Sequence, residues 1–453
     1  MSRHKVLETV PDAPSVEHRA PEAIPVARAH HHSSLGRALQ VAEVLARQEL
    51  WYLVEALDLG RLVPRHAGHA GHPRDAPAHE QPVRLRLALA ELGPTFMKLG
   101  QMLALRPDLL PPAYQIELAK LQDAAPTLPL AAVRETVAAE LGQPPERAFA
   151  IFEPTPLAAA SIGQAHRATL RDGTQVVVKV RRPGAAEQID EDLKLLHSLA
   201  AAASRRWTAA RQYDLVGLAE EFDRALRAEL DYLREGRNAE RFARNFAGDG
   251  TVHIPGVRWE TTTARVLTLE RVVGCKVTDG AGLDAAGVER AALADRGARL
   301  VLKMVFEDGF FHADLHPGNL FVEGGGRLGL IDFGLVGTVD ARTRATLARL
   351  LLAVARQDAE GVVDAFLELD AAQQPVDRAA MGREITPLLA RLQEQPAAEI
   401  AVGPLLTDLF GVVLRHQLVL PADLALLVKP LAMAESLGEQ LDPAFGSLAV
   451  LAP

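Results

Sequence analysis

The sequence predicts an α+β fold of two lobes, a small strand-rich lobe followed by a helical one, with a helical extension ahead of both. Three observations predict it. Short runs of β-branched residues gather around an Asp172-Gly173 turn in the middle of the chain. Helical apolar periodicity dominates on either side of that region. A loop rich in oxygen-bearing side chains, His312 to Asn319, stands between a helix and a glycine-broken hairpin, where two lobes would meet.

Composition bounds the possibilities. The 453 residues are 48% hydrophobic and 24% charged, ordinary values for a chain that buries a core. The net charge of −9 argues against a partner bound mainly through nucleic-acid phosphates, though it leaves room for a local basic patch. Cys275 is the sole cysteine, so no internal disulfide forms, and its expected role is a small apolar residue on a strand. Residues Met1 to Ala20 lack the apolar stretch of a secretion signal. The longest apolar tract, Leu405 to Ala434, is interrupted by Asp408, Arg415, Asp423 and Lys429. No transmembrane helix is expected, which places the protein in the cytoplasm with room for peripheral contact on the inner face of the membrane.

The elements follow in order. Residues 1–34 read as a disordered tail. Residues 35–82 hold a helix, Leu35 to Leu59, and a Gly/Pro-rich linker from Pro64 to Pro82. That linker carries His66, His69, His72 and His79, but without acidic or thiolate partners the histidines, like His30 to His32, read as solvated rather than metal-binding. Residues 83–150 form short helices cut by Pro94, Pro107, Pro111 and Pro112. Residues 151–272 are the strand-rich lobe. Strands are expected at Gln164–Leu170, Gln175–Arg181, Val252–Trp259 and Arg265–Leu269, and helices at Ala185–Ala203 and Asp214–Phe246. Residues 273–453 form the helical lobe, with a helix over Ala286–Asp308 and strands Leu320–Val322 and Leu328–Ile331 around a Gly324-Gly325-Gly326 turn. Asp340 is the predicted cap of the next helix, which spans Arg342 to Ala355.

The chemistry concentrates in His312-Ala313-Asp314-Leu315-His316-Pro317-Gly318-Asn319 and, across the hairpin, Asp332-Phe333-Gly334. The hairpin brings Asp332 back beside Asn319, and two hard oxygen ligands converging there suit Mg²⁺. Asp314 is left to orient or deprotonate an acceptor, or to position water. Gly334 is expected to supply a turn at positive φ. The joint pattern resembles the catalytic loop and metal-binding motif of protein kinases. Lys179, in the apolar run Val176 to Val180, is costly to bury unless it meets an anion, and in the kinase pattern it holds nucleotide phosphates. No Gly-x-Gly-x-x-Gly precedes that strand. Ala158, Ala159, Ala160 and Ser161 stand there instead, a stiffer phosphate loop in which Ser161 can donate a hydrogen bond. Glu270 and Val272 occupy the position of an adenine-binding hinge. No Ala-Pro-Glu follows Gly334, so a peptide-binding platform is missing and a conventional Ser/Thr kinase is disfavoured.

Further segments carry a more specific resemblance. Gly93-Pro94-Thr95-Phe96-Met97-Lys98-Leu99-Gly100-Gln101, Arg106 to Pro111, Leu121-Gln122-Asp123, the alanine loop and Glu229-Leu230-Asp231-Tyr232-Leu233-Arg234-Glu235 with Asn238 resemble the UbiB/AarF family of atypical kinases. Glu229 and Asp231 taken alone read as a charged helix face. The resemblance implies instead that Lys98 and Gln101 lie on an extension folded over the active site, that Lys98 pairs with Glu229 and Asp231, and that Lys179 pairs with Glu235. It further implies ATP and Mg²⁺ as cofactors and an ATPase or small-molecule/lipid kinase acting in isoprenoid quinone biosynthesis or lipid handling. A lipid or quinone precursor and quinone-biosynthesis enzymes are the implied partners. The competing reading is a non-catalytic, nucleotide-gated scaffold for lipid-modifying enzymes. Three departures stand out: Ala104-Leu105 replaces the family's frequent Ser-Thr, the hydrophobic C-terminal helices that anchor many bacterial relatives are not expected here, and the His-rich N-terminal region has no counterpart in the family pattern.

Overall fold

The computed structural model describes residues 34–62, 77–121 except 105, 107 and 108, 127–206, 214–369, 375–391, 402–416, 418, 422–442 and 445. His30 to His32, His66, His69, His72, Pro107, Gln122 and Asp123 lie outside these residues, as does the predicted tail apart from Ser34.

The chain opens with a helical layer: α1 (Ser34–Arg47), α2 (Trp51–Ala56), α3 (Gln81–Leu92), α4 (Pro94–Ala104) and α5 (Pro112–Leu118). The single helix expected from Leu35 to Leu59 is broken after Arg47, where Glu49 takes a positive φ of 58° and Leu50 buries completely. Then come α6 (Leu130–Leu141), α7 (Pro145–Ala148), and the strands β1 (Ile151–Ala159), β2 (Gly163–Thr169) and β3 (Gln175–Arg181). Next are α8 (Ala185–Arg206), α9 (Leu215–Glu229), α10 (Tyr232–Asn245), β4 (Val252–His253) and β5 (Val266–Glu270). The expected helix from Asp214 to Phe246 is therefore two helices. Leu230 ends the first, and Asp231 caps the second by accepting from the Leu233 amide at 3.0 Å. The strand expected over Val252–Trp259 is only two residues long, because Pro255 has no amide to donate and Trp259–Thr261 coils into a 3₁₀ turn.

The second lobe holds β6 (Cys275–Lys276), α11 (Gly280–Ala285), α12 (Arg290–Leu302), β7 (Phe310–His312), β8 (Leu320–Glu323), β9 (Arg327–Leu330) and β10 (Val336–Thr338). It continues as α13 (Ala341–Ala355), α14 (Ala359–Leu369), α15 (Arg378–Ala390), α16 (Val402–Arg415) and α17 (Ala422–Leu441). The helix expected over Ala286–Asp308 begins at Arg290 and widens into a π turn at Lys303–Glu307. Asp340 caps α13, accepting from the Thr343 amide at 2.7 Å.

Strands β1-β2-β3-β5 form one antiparallel sheet, with Ala165 opposite Lys179 and Lys179 opposite Leu267. In β3 the period of two sends Val176, Val178 and Val180 into a core with Val133, Val137 and Phe149, under α6. Lys179 consequently projects from the opposite face. A second sheet, β4-β9-β8-β6, and the pair β10-β7 build the floor of the other lobe. Its core joins Leu293, Leu300, Met304, Phe311, Leu328 and Leu437. The arrangement is that of a kinase-like fold in two lobes, with a helical C-terminal region.

The N-terminal layer is tied to α8. The Arg37 Nε lies 2.6 Å from Asp192 Oδ1, and its Nη2 donates both to Asp192 Oδ2 at 3.2 Å and to the Leu92 carbonyl at 2.7 Å. Asp192 is 1% exposed. Around this pair, Val41, Leu45, Leu89, Phe96, Leu118 and Leu199 share one apolar core.

Candidate active site

Strand alternation aims Lys179 at α10, where Glu235 sits one turn after the Asp231 cap. The Lys179 Nζ lies 2.6 Å from Glu235 Oε1 and 3.3 Å from Asp332 Oδ1. Burial would lower the Lys179 pKa, but the Asp332 and Glu235 carboxylates outweigh it and hold the ammonium above its usual value. Lys179 in turn holds the Asp332 carboxyl well below the usual carboxylate range, against desolvation and with help from His312 and Lys98. Burial pushes the Glu235 carboxyl up, and Lys179 opposes that push. The Asp332 side chain remains 50% exposed, open toward a ligand, while that of Glu235 is 6% exposed.

The Asp-Phe-Gly segment is pinned from α10. The Phe333 amide donates to Glu235 Oε1 at 3.3 Å, and Asn238 Nδ2 donates to the Phe333 carbonyl at 2.9 Å. Phe333 is buried against Phe242, with ring centroids 5.4 Å apart. The turn does not use Gly334 as expected. Asp332 itself takes the left-handed conformation, φ 64°, and Gly334 is not among the residues with positive φ. The cost of holding an Asp there is met by the surrounding contacts.

The catalytic-loop residues lie alongside. The Ile331 amide donates to the Asn319 carbonyl at 3.1 Å, which joins the two arms of the hairpin next to Asp332. Asn319 Nδ2 donates to the Asp314 carbonyl at 3.2 Å, so the amide oxygen is left for another partner. His312 is fully buried, with Nε2 at 3.2 Å from the Ile331 carbonyl, and supports the loop from beneath. Asp332 and Asn319 together offer hard oxygen donors of the kind Mg²⁺ takes along with phosphate oxygens and water. No group of three or more His, Cys, Asp or Glu side chains forms a metal cage among the described residues.

The alanine segment needs correction in part. Ala158 and Ala159 are not in a loop; they end β1, opposite Ala165 and Gln164. Small side chains satisfy a tight antiparallel ladder as readily as a turn. The turn proper is Ala160-Ser161-Ile162, closed by the Ala160 amide on the Gly163 carbonyl at 2.8 Å and by Arg182 Nε on the Ala160 carbonyl at 2.9 Å. Gly163 is required here: a Cβ would sit 2.2 Å from the Tyr232 hydroxyl and 3.0 Å from the Val180 carbonyl. Ser161 is 4% exposed and its Oγ has no protein partner, a buried hydroxyl left unsatisfied in this turn.

The remaining predicted residues divide. The Lys98 Nζ, on α4, lies 3.3 Å from Glu229 Oε2 at the end of α9. Asp231 caps α10, while Gln101 donates to the Leu121 carbonyl at 3.1 Å and fastens α4 to the turn after α5. Glu270 closes β5 with its amide on the Gly256 carbonyl at 2.8 Å, and Val272 lies over Gly329 in β9, so the expected hinge segment links the two sheets. Cys275, on β6, is partly buried with Sγ 3.8 Å from the Val322 carbonyl.

One residue escaped the sequence reading. Lys429 of α17 forms a close ion pair with Asp314 Oδ1. In the sequence Lys429 is only an interruption in an apolar tract, and an ion pair spanning 115 positions leaves no periodic trace.

Two lobes, a strand lysine paired to a helix glutamate, and an Asp-Phe-Gly beside an Asp-x-x-x-x-Asn loop define a protein-kinase-like molecule. Comparison with known proteins narrows the class. Residues 120–366 match the ABC1 atypical kinase-like domain, and residues 385–446 match the UbiB helical domain. The chain is 38% identical to an uncharacterised protein of Synechocystis over 82% of this chain and 63% of that protein. It is also 38% identical to a probable protein kinase UbiB of Marinobacter nauticus, over 80% and 66% of the two lengths. A probable protein kinase UbiB of Xanthomonas campestris is 38% identical over 92% of this chain and 77% of its own length. The chain thus spans slightly under two thirds of the first two relatives. Among solved structures, the Mycobacterium tuberculosis protein Rv3197, in complex with erythromycin, is similar at a TM-score of 0.53 and 26% identity, covering 78% of this chain and 90% of that one. The chain belongs to the ABC1/UbiB family of atypical kinase-like proteins. No helix among the described residues is long and apolar enough to cross a membrane.

Proposed function

We propose that the chain binds Mg-ATP between its lobes and works as an atypical kinase-like ATPase or small-molecule/lipid kinase, in support of isoprenoid quinone biosynthesis or related lipid handling. The observation that carries this reading is the convergence of Lys179, Glu235 and Asp332 within 3.3 Å. An ammonium held between two carboxylates, one of them half-exposed, is poised to meet phosphate and metal together. Asn319 and Asp332 would hold Mg²⁺, which supplies charge neutralisation to the phosphates when bound. Lys179 anchors phosphate oxygens, the Ser161 hydroxyl donates to one of them, and Asp314 accepts the proton of the acceptor hydroxyl or orients water. Catalysis on this plan is positioning and charge stabilisation.

The acceptor is a small molecule or lipid rather than a peptide. After Gly334 the chain pairs β10 with β7 and enters α13 at Ala341, which leaves no length for a peptide platform. The relatives named as UbiB kinases support the quinone connection. Peripheral contact with the inner face of the membrane would bring the protein to such substrates.

The test is ATP hydrolysis by the purified protein with Mg²⁺, with and without anionic liposomes carrying a quinone-like phenol, and with Asp314→Asn as the control. Turnover that needs Mg²⁺, rises with lipid and is lost in the variant supports the reading. No turnover in any condition would move the assignment to a nucleotide-gated scaffold.

Lys98 is assigned to the lid of the site. Lys98→Ala is expected to change steady-state ATP turnover at least about threefold, while the melting temperature stays within about 4 °C of wild type. A larger loss of melting temperature with turnover unchanged would assign Lys98 to packing alone.

A further inference from the structure

Asp314 to Asn319 reads Asp-Leu-His-Pro-Gly-Asn and contains no lysine or arginine. Its one imidazole ring, His316, accepts the Gly318 amide on Nδ1 at 3.0 Å, so that nitrogen is already used as an acceptor. A terminal phosphoryl group placed over Asp314 would therefore find a carboxylate and no lysine or arginine on the loop itself. Charge on a transferring phosphoryl needs a cation nearby. The cation in contact with Asp314 is Lys429, from the last helix.

This pair is poorly explained as a stabilising contact. With side chains 28% and 34% exposed, the pair is only partly shielded from water and its contribution to folding is modest. The base of Lys429 is nonetheless fixed. Leu424, Leu427, Leu437 and Leu441 of α17 enter the main core with Leu293 and Leu300 of α12, and buried Pro430 follows Lys429 directly. A helix anchored in the core thus presents a long, partly exposed side chain to the loop that carries Asp314.

We propose that Lys429 is a phosphate-binding residue of the nucleotide site, holding Asp314 when no nucleotide is present and moving onto the terminal phosphate of ATP. The C-terminal helix would then complete a site whose catalytic loop lacks its own cation. This rests on the Mg-ATP reading above, and it adds a contact that ADP cannot make.

Equilibrium binding of ATP and ADP with Mg²⁺ to wild type, Lys429→Met and Lys429→Arg tests it. A charge-assisted hydrogen bond to phosphate predicts an ATP affinity about tenfold or more weaker in Lys429→Met, ADP affinity within about twofold, and partial recovery in Lys429→Arg. Equal ATP-to-ADP ratios in wild type and Lys429→Met would overturn the assignment while leaving Mg-ATP binding intact. Failure of wild type to bind ATP at all would instead overturn the nucleotide reading on which it stands. A circular-dichroism melt of each variant, with Lys429→Arg as the conservative replacement, separates a lost contact from a lost fold.

Discussion

Asp332→Asn is expected to weaken Mg²⁺-dependent ATP binding by about a hundredfold or more. The carboxylate is the charged member of the proposed metal pair, and an amide offers the cation one neutral oxygen in its place. The substitution also removes a counter-charge from Lys179, which then retains Glu235 alone at 2.6 Å. Fold should survive, because the Asp332 side chain is half-exposed and Asn tolerates the left-handed backbone that Asp332 adopts at φ 64°. Calorimetric titration with ATP in Mg²⁺ and in EDTA checks the point. Unchanged Mg-ATP affinity, with the variant folded, would remove Asp332 from the metal site.

The largest stability effect is expected at the junction of the N-terminal layer. Asp192→Ala leaves the Arg37 guanidinium buried without its carboxylate, keeping only the Leu92 carbonyl and the Gln40 side chain as acceptors. Breaking one side of a buried pair costs about 3–5 kcal/mol, whereas replacing both sides with apolar groups costs far less. Urea denaturation should therefore show a large drop for Asp192→Ala and substantial recovery in Arg37→Met/Asp192→Leu. Equal losses in the single and double variants would assign the damage to packing rather than to the uncompensated charge.

Local sequence information was enough for the elements that carry their own period or punctuation. The Asp172-Gly173 turn and the alternation in Gln175–Arg181 locate β2 and β3 and orient Lys179. The spacing of Asp314, Asn319 and Asp332 across a glycine-broken hairpin implies that the last two are neighbours, and the Ile331–Asn319 hydrogen bond shows that they are. Reading failed where helical periodicity runs on through a break. Asp231 looks like one more charged position on a helix, and only its bond to the Leu233 amide reveals a cap. It failed again where a backbone choice is set by distant contacts: glycine is the usual candidate for positive φ, yet Asp332 adopts it under the hold of Glu235 and Asn238 on Phe333. Pairs far apart in the chain, Arg37 with Asp192 and Lys429 with Asp314, have no local signature at all.

The Arg37–Asp192 junction also has a mechanical meaning. Three residues, Arg182 to Gly184, separate the end of β3 from the start of α8. The strand that carries Lys179 and the helix gripped by the N-terminal layer are therefore joined by a short turn, in which Gly184 takes a positive φ of 75°. A load applied to α1 passes through Asp192 into α8, whose start is joined by a short connection to the strand that carries Lys179. Displacement of that layer would therefore be felt first at α8 and, three residues back along the chain, at the end of the strand that carries Lys179.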